Sequence, residues 1–224
     1  MNIPLTIGRN SSGTSYTLNL FELPHLFISY NEEEQLATIF GHFLLEAANN
    51  PNTQFAVSLS RHLSGKLIPA IASDQLRFQF NHSYMPGQSI NSIHEFITAL
   101  HTEINSRKLT QRKHLPDKII HPPLIVFIHD IFEVLTSKNG KTPRAFLELL
   151  AKGPAVAMHF IAGSSGIYKN LINQLINPTR ALTNKTRERL HITEPLATQL
   201  IINPDGLIFF KDRFQDDFIR LYPN

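Results

Sequence analysis

The chain has 224 residues, of which 42% are hydrophobic and 17% charged, with a net charge of +3 at pH 7 and no cysteine. That length and apolar content suit one α/β domain with a large core, and the missing cysteines exclude disulfides, thiolate metal sites and thiol nucleophiles. No apolar run reaches the ~18 residues of a membrane span, and Met1-Asn2-Ile3-Pro4 lacks the basic and apolar regions of a signal peptide, so the expected setting is cytoplasmic.

Strand-length apolar runs alternate with segments of helical period, which predicts a mainly parallel sheet covered on both faces. His25–Tyr30 reads as a buried strand, followed by a helix from about Glu32 to Ala48 that stops at Asn49-Asn50-Pro51, where proline forbids continuation. Phe55–Leu59 is the next core strand. The stretch Arg61–Gly87 is less regular, with Leu76–Phe80 alternating like an exposed strand and Tyr84–Gln88 like a turn, and is expected to be a partner-facing insertion. Ile90, Ile93, Phe96, Ile97, Leu100 and Ile104 mark one long amphipathic helix up to His114. Strands follow at Leu124–His129, His159–Ala162 and Leu207–Phe210, with Phe218–Tyr222 pairing back across Lys211–Asp217 as a last edge. Helices are expected at Pro143–Ala151, Gly166–Ile176 and Glu194–Ile202, and a mobile loop at Ser137–Pro143.

The turn after the first core strand is where a nucleotide-binding protein carries G-x-x-x-x-G-K-[ST]. Glycine there lets backbone N–H groups wrap the phosphates, lysine reaches the outer oxygens, and the hydroxyl holds magnesium. Here Tyr30, Gln35, Leu36 and Ala37 stand at those positions, with Glu32, Glu33 and Glu34 between. A helix start favours anions; these carboxylates are expected to fill that site, with Asn31 as N-cap and Glu34 closing a capping box. Two like charges ~4 Å apart repel by roughly 4 kcal/mol at an effective dielectric of 20, so a triphosphate would meet repulsion and no lysine.

Around that turn the chain resembles the motor domain of the FtsK/SpoIIIE family of DNA translocases and the related ATPase modules of type VII secretion systems. The likeness rests on Ile3–Gly8, on Leu18–Ile28 with its Pro24-His25-Leu26 run, on the Walker B-like Pro123–Glu133, on Ala157–Ser164 and on Pro178-Thr179-Arg180, and so spans nearly the whole chain. It implies a P-loop NTPase (RecA-like) three-layer fold over residues 1–224, one module of a larger protein. It also places the departures. Asp130 keeps the Walker B aspartate position, but the acidic residue that should follow is Ile131, and the family's sensor Gln is Ser164. With the lysine and hydroxyl also replaced, several parts of a phosphoryl-transfer site are missing together. The expectation is a degenerate site at Tyr30, Glu33, Gln35, Leu36, Ala37, Asp130, Ile131 and Ser164, with no catalytic residue and no cofactor. Glu133, three residues beyond Asp130, could stand as a displaced catalytic acid, but on a strand or turn it need not face the same way. The resemblance further implies a binding, assembly or regulatory module whose partners are proteins or neighbouring ATPase modules, in a ring. The rival readings are an ATP-binding translocase subunit completed by a neighbouring subunit, and a basic DNA-binding module.

For DNA, the candidates are Arg107, Lys108, Arg112 and Lys113, with His114 and Lys118 nearby and a second group at Arg180, Lys185, Arg187 and Arg189. The eleven histidines show no spacing that makes a zinc site, and no metal is expected; His25, His129 and His159 read as satisfied strand residues. Gly163-Ser164-Ser165-Gly166 resembles a nucleophile elbow but lacks the G-x-S-x-G spacing and reads as a loop whose serines cap the next helix. Dinucleotide fingerprints are missing.

Overall fold

The computed structural model describes residues 3–22, 25–71, 74–81, 92–114, 121–165, 197–211 and 218–223. In chain order, β1 (Pro4–Arg9) and β2 (Ser15–Asn19) form an antiparallel hairpin. Then come β3 (His25–Tyr30), α1 (Glu33–Ala48), β4 (Gln54–Leu59), α2 (Arg61–Leu67), β5 (Leu76–Asn81), α3 (Ile93–His114) and β6 (Leu124–Ile128). The remainder is α4 (Ile131–Leu135), α5 (Lys141–Lys152), β7 (Met158–Ser165), β8 (Thr198–Ile202), β9 (Ile208–Lys211) and β10 (Ile219–Leu221). Among the described residues, eight strands make one sheet in the order β10-β9-β8-β3-β7-β6-β4-β5. From β8 to β5 every pairing is parallel, and β9 and β10 add an antiparallel flank.

Strand alternation divides the interior into two cores. Leu26, Ile28, Val57 and Phe127 face α1 and α2, whereas Phe27, Ala56, Val126 and Phe160 face α3, α4 and α5, so the architecture is three-layered, as expected. In α1 the buried Leu36, Ala37, Phe40, Phe43, Leu44 and Ala47 recur at helical spacing and lay one stripe on the sheet. Phe40 meets Phe127 edge-on at 5.1 Å, and Phe146 meets Phe160 at 5.5 Å on the other face. The β1–β2 hairpin closes over α1, where Glu46 accepts from Thr6 N–H at 2.6 Å. Gly8, at φ 154, lies in a bulge; a Cβ there would come within 2.7 Å of the Tyr222 carbonyl, so only glycine lets β1 join β10 through the Arg9–Tyr222 bridge.

Several expectations change. Glu194–Ile202 was to be a helix, but Thr198–Ile202 is β8, parallel to β3. It is an interior strand between β3 and β9 with Thr198, Gln199, Leu200 and Ile202 buried, so no polar-out alternation marks it, and the short Leu200-Ile201-Ile202 run has no period that separates strand from helix. Arg61–Gly87 is not an insertion in its described part: it supplies α2 and the sheet's edge strand β5. Gly163, Ser164 and Ser165 continue β7 rather than forming a loop. The supposed loop before Pro143 already begins α5 at Lys141, and a short helix, α4, follows β6 directly. The expected helix at Gly166–Ile176, the Tyr84–Gln88 turn, Pro178-Thr179-Arg180 and the basic residues Lys118, Arg180, Lys185, Arg187 and Arg189 lie outside the described residues.

One buried charge locks the lower end of the domain. The inward stripe of α3, through Phe96, Ile97, Leu100 and Ile104, ends on Arg107, which is 3% exposed. Its guanidinium donates to Glu103 Oε1 (2.8 Å), Pro122 O (2.7 Å), Val156 O (3.2 Å) and Gln54 Oε1 (2.9 Å). It therefore clamps the starts of β4, β6 and β7, and it is unavailable to nucleic acid. Lys108 is half-buried and Arg112 exposed on the same helix, while the Lys113 side chain is outside the described residues.

Candidate functional site at the carboxyl ends of the parallel strands

In open α/β sheets ligands bind beyond the carboxyl ends of the strands, where successive connections leave in opposite directions. Here α1 carries the chain from β3 past β7 and β6 to β4, while β8 pairs on the other side of β3. At this crevice position stand the turn Tyr30–Glu33, His129 and Asp130 after β6, Ser164 and Ser165 of β7, and Ile202 and Asn203 after β8.

The N-cap of α1 is Glu32, not Asn31, and Gln35 rather than Glu34 stands at the third helical position. The Gln35 side chain turns back into the loop. Its Oε1 accepts from both Asn31 N–H and Glu32 N–H at 3.3 Å, and its Nε2 donates to Asn203 O at 2.9 Å. Asn31 Nδ2 donates to Ile202 O at 2.9 Å beside it. Two backbone donors of the kind that wrap phosphate are thus held by an internal amide, and the turn is tied to β8. The expectation that the three carboxylates fill this cradle is corrected: the Gln35 amide takes the Asn31 and Glu32 N–H groups, Glu32 closes the capping box from the other side, and Glu34 leaves for α2.

Glu34 leaves the crevice for α2, where Lys66 Nζ (2.7 Å) and His62 Nε2 (2.7 Å) reach it. Hydrogen bonds from Lys66 and then His62 hold its carboxyl below the usual value, but the pair is fully exposed and screened. Glu33 points inward. Ser60, which caps α2 by accepting from Leu63 N–H at 3.2 Å, donates to Glu33 Oε1, and His129 Nε2 lies 3.4 Å from the same oxygen. His129 Nε2 also shares a 3.1 Å hydrogen bond with the Tyr30 hydroxyl, and the two rings stack at 6.1 Å. Burial first, then the charges of Asp130 and Glu33, raise the Tyr30 phenol well above its ordinary pKa, so it remains a neutral hydroxyl. Ser60, Glu33, His129 and Tyr30 form one polar chain across β4, α1, β6 and β3. It is not a nucleophilic triad, because Ser60 donates to the carboxylate and not to the histidine.

At the lysine position, Leu36 is fully buried. Beneath it lies Gly163, where a Cβ would come within 2.7 Å of Leu36 Cδ2 and 2.6 Å of His129 O; the glycine makes room for a packed leucine. Ala37, at the hydroxyl position, is buried and offers no oxygen. Asp130 caps α4, accepting from Phe132 N–H at 2.9 Å, with its charge still felt by Tyr30. Ile131 is buried in the core beneath α4, and Ser164 is fully buried with its hydroxyl donating to Ser165 O at 3.3 Å. Glu133 lies half-buried in the first turn of α4. Among the described residues no metal-binding cluster occurs.

The structure thus brings Tyr30, Glu33, Gln35, Leu36, Ala37 and Asp130 to one crevice. It adds Ser60, His129 and Asn203, which sequence reading did not assign there. A histidine directly before Asp130 was the one available signal; nothing in the local sequence points to Ser60 or Asn203. His25 is a satisfied core residue as expected, with Nδ1 accepting from Phe160 N–H (3.1 Å) and Nε2 donating to Leu150 O (2.7 Å).

Sheet order and the strand–turn–helix after β3 give a three-layer α/β fold with a mainly parallel sheet, which the chain shares with solved P-loop ATPase structures. Among solved structures, the chain is similar to EssC (ATPases 2 and 3) from Geobacillus thermodenitrificans, with a TM-score of 0.63 and 12% identity over 99% of this chain and 44% of that one. It is also similar to Thermomonospora curvata EccC (ATPases 2 and 3) in complex with a signal sequence peptide, with a TM-score of 0.57 and 13% identity over 99% and 40%. The pCW3 conjugation coupling protein TcpA, in a monomer form with ATPγS, follows at 0.55 and 12% over 99% and 65%. At such identities the likeness is one of fold, and the chain spans less than half the length of EccC and EssC. No protein-family model and no curated protein matches the sequence.

Proposed function

We propose that this chain is a P-loop ATPase-fold domain that neither binds nor hydrolyses nucleotide and serves as a binding, assembly or regulatory module of a DNA- or protein-translocating machine. The observation that carries this is the Gln35 amide on Asn31 N–H and Glu32 N–H, where phosphate oxygens would otherwise accept. The buried Leu36, the apolar Ala37 and the core-packed Ile131 support it, since each takes a position that must present a polar group to substrate in a working site. The machine context is supported by the folds of EccC, EssC and TcpA. Neighbouring ATPase-type modules, in a ring, are the partners this reading assigns, and a crevice without nucleotide leaves the Tyr30–Glu33 mouth for contacts between modules. The test is a phosphate-release assay with ATP and magnesium, with and without duplex DNA. Release at the blank rate is expected; turnover that disappears in Asp130→Asn would overturn the proposal.

A further inference from the structure

The antiparallel flank of the sheet carries a surface that the ATPase fold does not explain. Ile208, Phe210, Ile219 and Leu221 turn toward the α1 core, so strand alternation and the β9–β10 register put Phe209, Lys211, Phe218, Arg220 and Tyr222 on the opposite face. Phe218 is 43% and Tyr222 40% exposed, making them two of the four exposed large hydrophobics among the described residues. Each ring has a cation above it: Lys211 Nζ lies 5.5 Å from the Phe218 centroid, and the Arg220 guanidinium 5.4 Å from that of Tyr222. Exposed Arg9 joins the row through its backbone pairing with Tyr222, at 2.9 and 2.8 Å. Among the described residues, no ion pair involves Arg9, Lys211 or Arg220.

We propose that the outer face of β9–β10, with Arg9, binds single-stranded nucleic acid without sequence preference. Exposed rings that alternate with cations along an extended strand offer π-faces to unpaired bases and charge to the intervening phosphates. Same-face residues on β10 recur every ~6.8 Å, a step that an unstacked single strand can follow. In a duplex the base faces are already stacked, so the rings would have nothing to receive. An added β-strand would find the end of that edge already paired at the Arg9–Tyr222 bridge. With the cations in place, Phe218 and Tyr222 still keep 43% and 40% of their residue surface exposed. The connecting residues 212–217 include Asp212, Asp216 and Asp217 and lie outside the described residues; the proposal therefore rests on stacking more than on charge.

Fluorescence anisotropy with labelled oligo-dT of about 20 nucleotides in ~50 mM salt tests this. Expected are saturable binding, poor competition by a duplex of equal length, and a log–log salt slope near −2 for about three phosphate contacts. The double variant Phe218→Ala/Tyr222→Ala should bind at least ~tenfold more weakly while staying folded by circular dichroism, since both residues are about two-fifths exposed. Absence of oligo-dT binding, equal competition by duplex, or ring variants that bind like wild type would each overturn the proposal. None of these outcomes bears on whether the Tyr30–Ala37 turn takes nucleotide, since Phe218 and Tyr222 are not part of it.

Discussion

Restoring the lysine of a phosphate-binding loop by Leu36→Lys is expected to damage the protein rather than create a site. Leu36 is fully buried and seated on Gly163. Losing its apolar contacts costs about 1.5–3 kcal/mol. An ammonium held at that depth adds several kcal/mol, partly recovered if the stem snorkels toward the crevice mouth. The net loss is about 3–5 kcal/mol. At ~2–4 °C per kcal/mol for a chain of this size, the melting temperature should fall by roughly 6–20 °C. Leu36→Met, of similar volume, should cost under ~1.5 kcal/mol and controls for side-chain shape. Thermal unfolding followed by circular dichroism reads both variants, and calorimetric titration with ATP and magnesium should show no heat of binding for either. A Leu36→Lys protein that melts like wild type would mean that this position opens into a lysine slot, and the packing argument would be refuted.

Gly163→Ala forces a methyl to within 2.6 Å of the His129 carbonyl and should cost about 1–3 kcal/mol; differential scanning calorimetry checks it. Arg107→Gln should lower stability by about 3–5 kcal/mol, because it leaves the buried Glu103 pair and the carbonyls of Pro122 and Val156 without their donor. If Arg107 contacted DNA instead, the variant would melt normally and lose DNA affinity. Burial raises the Glu148 carboxyl, but hydrogen bonds from Lys152 and His101 outweigh it and leave the folded pKa below the ordinary value. A depressed carboxylate pKa contributes stability above the unfolded value of ~4.3 and loses it as pH falls through the folded pKa. Between about pH 5 and 3 the melting temperature of Glu148→Gln should therefore fall less steeply than that of wild type.

Where burial is one-sided, the sequence displays its structure. The α1 stripe from Leu36 to Ala47 and the α3 stripe from Phe96 to Ile104 follow helical spacing, and both helices lie where that spacing puts them. β8 differs: nearly all of its residues are buried, polar Thr198 and Gln199 included, which removes the alternation that marks a strand. The crevice was legible by position: Tyr30, Gln35, Leu36, Ala37 and Asp130 do meet at the strand ends. Its chemistry was not. Charge counting favoured the three glutamates as the groups that fill the turn, yet Glu34 finds Lys66 and His62 on α2, Glu33 finds Ser60, and Gln35 is left to bridge Asn31, Glu32 and Asn203. Ser60 and Asn203 lie 27 and 168 residues from the side chains they meet, beyond the reach of any local pattern. Arg107 was assigned to the surface for the same reason, since its acceptors on β4 and before β6 and β7 belong to the tertiary structure.

Crystals of the wild-type domain grown with ATPγS and magnesium test the central claim most directly. An unchanged turn is expected, with Gln35 Oε1 still accepting from Asn31 N–H and Glu32 N–H and no triphosphate between Tyr30 and Ala37. Density for a triphosphate wrapped by that turn, with the Gln35 side chain swung away, would contradict it.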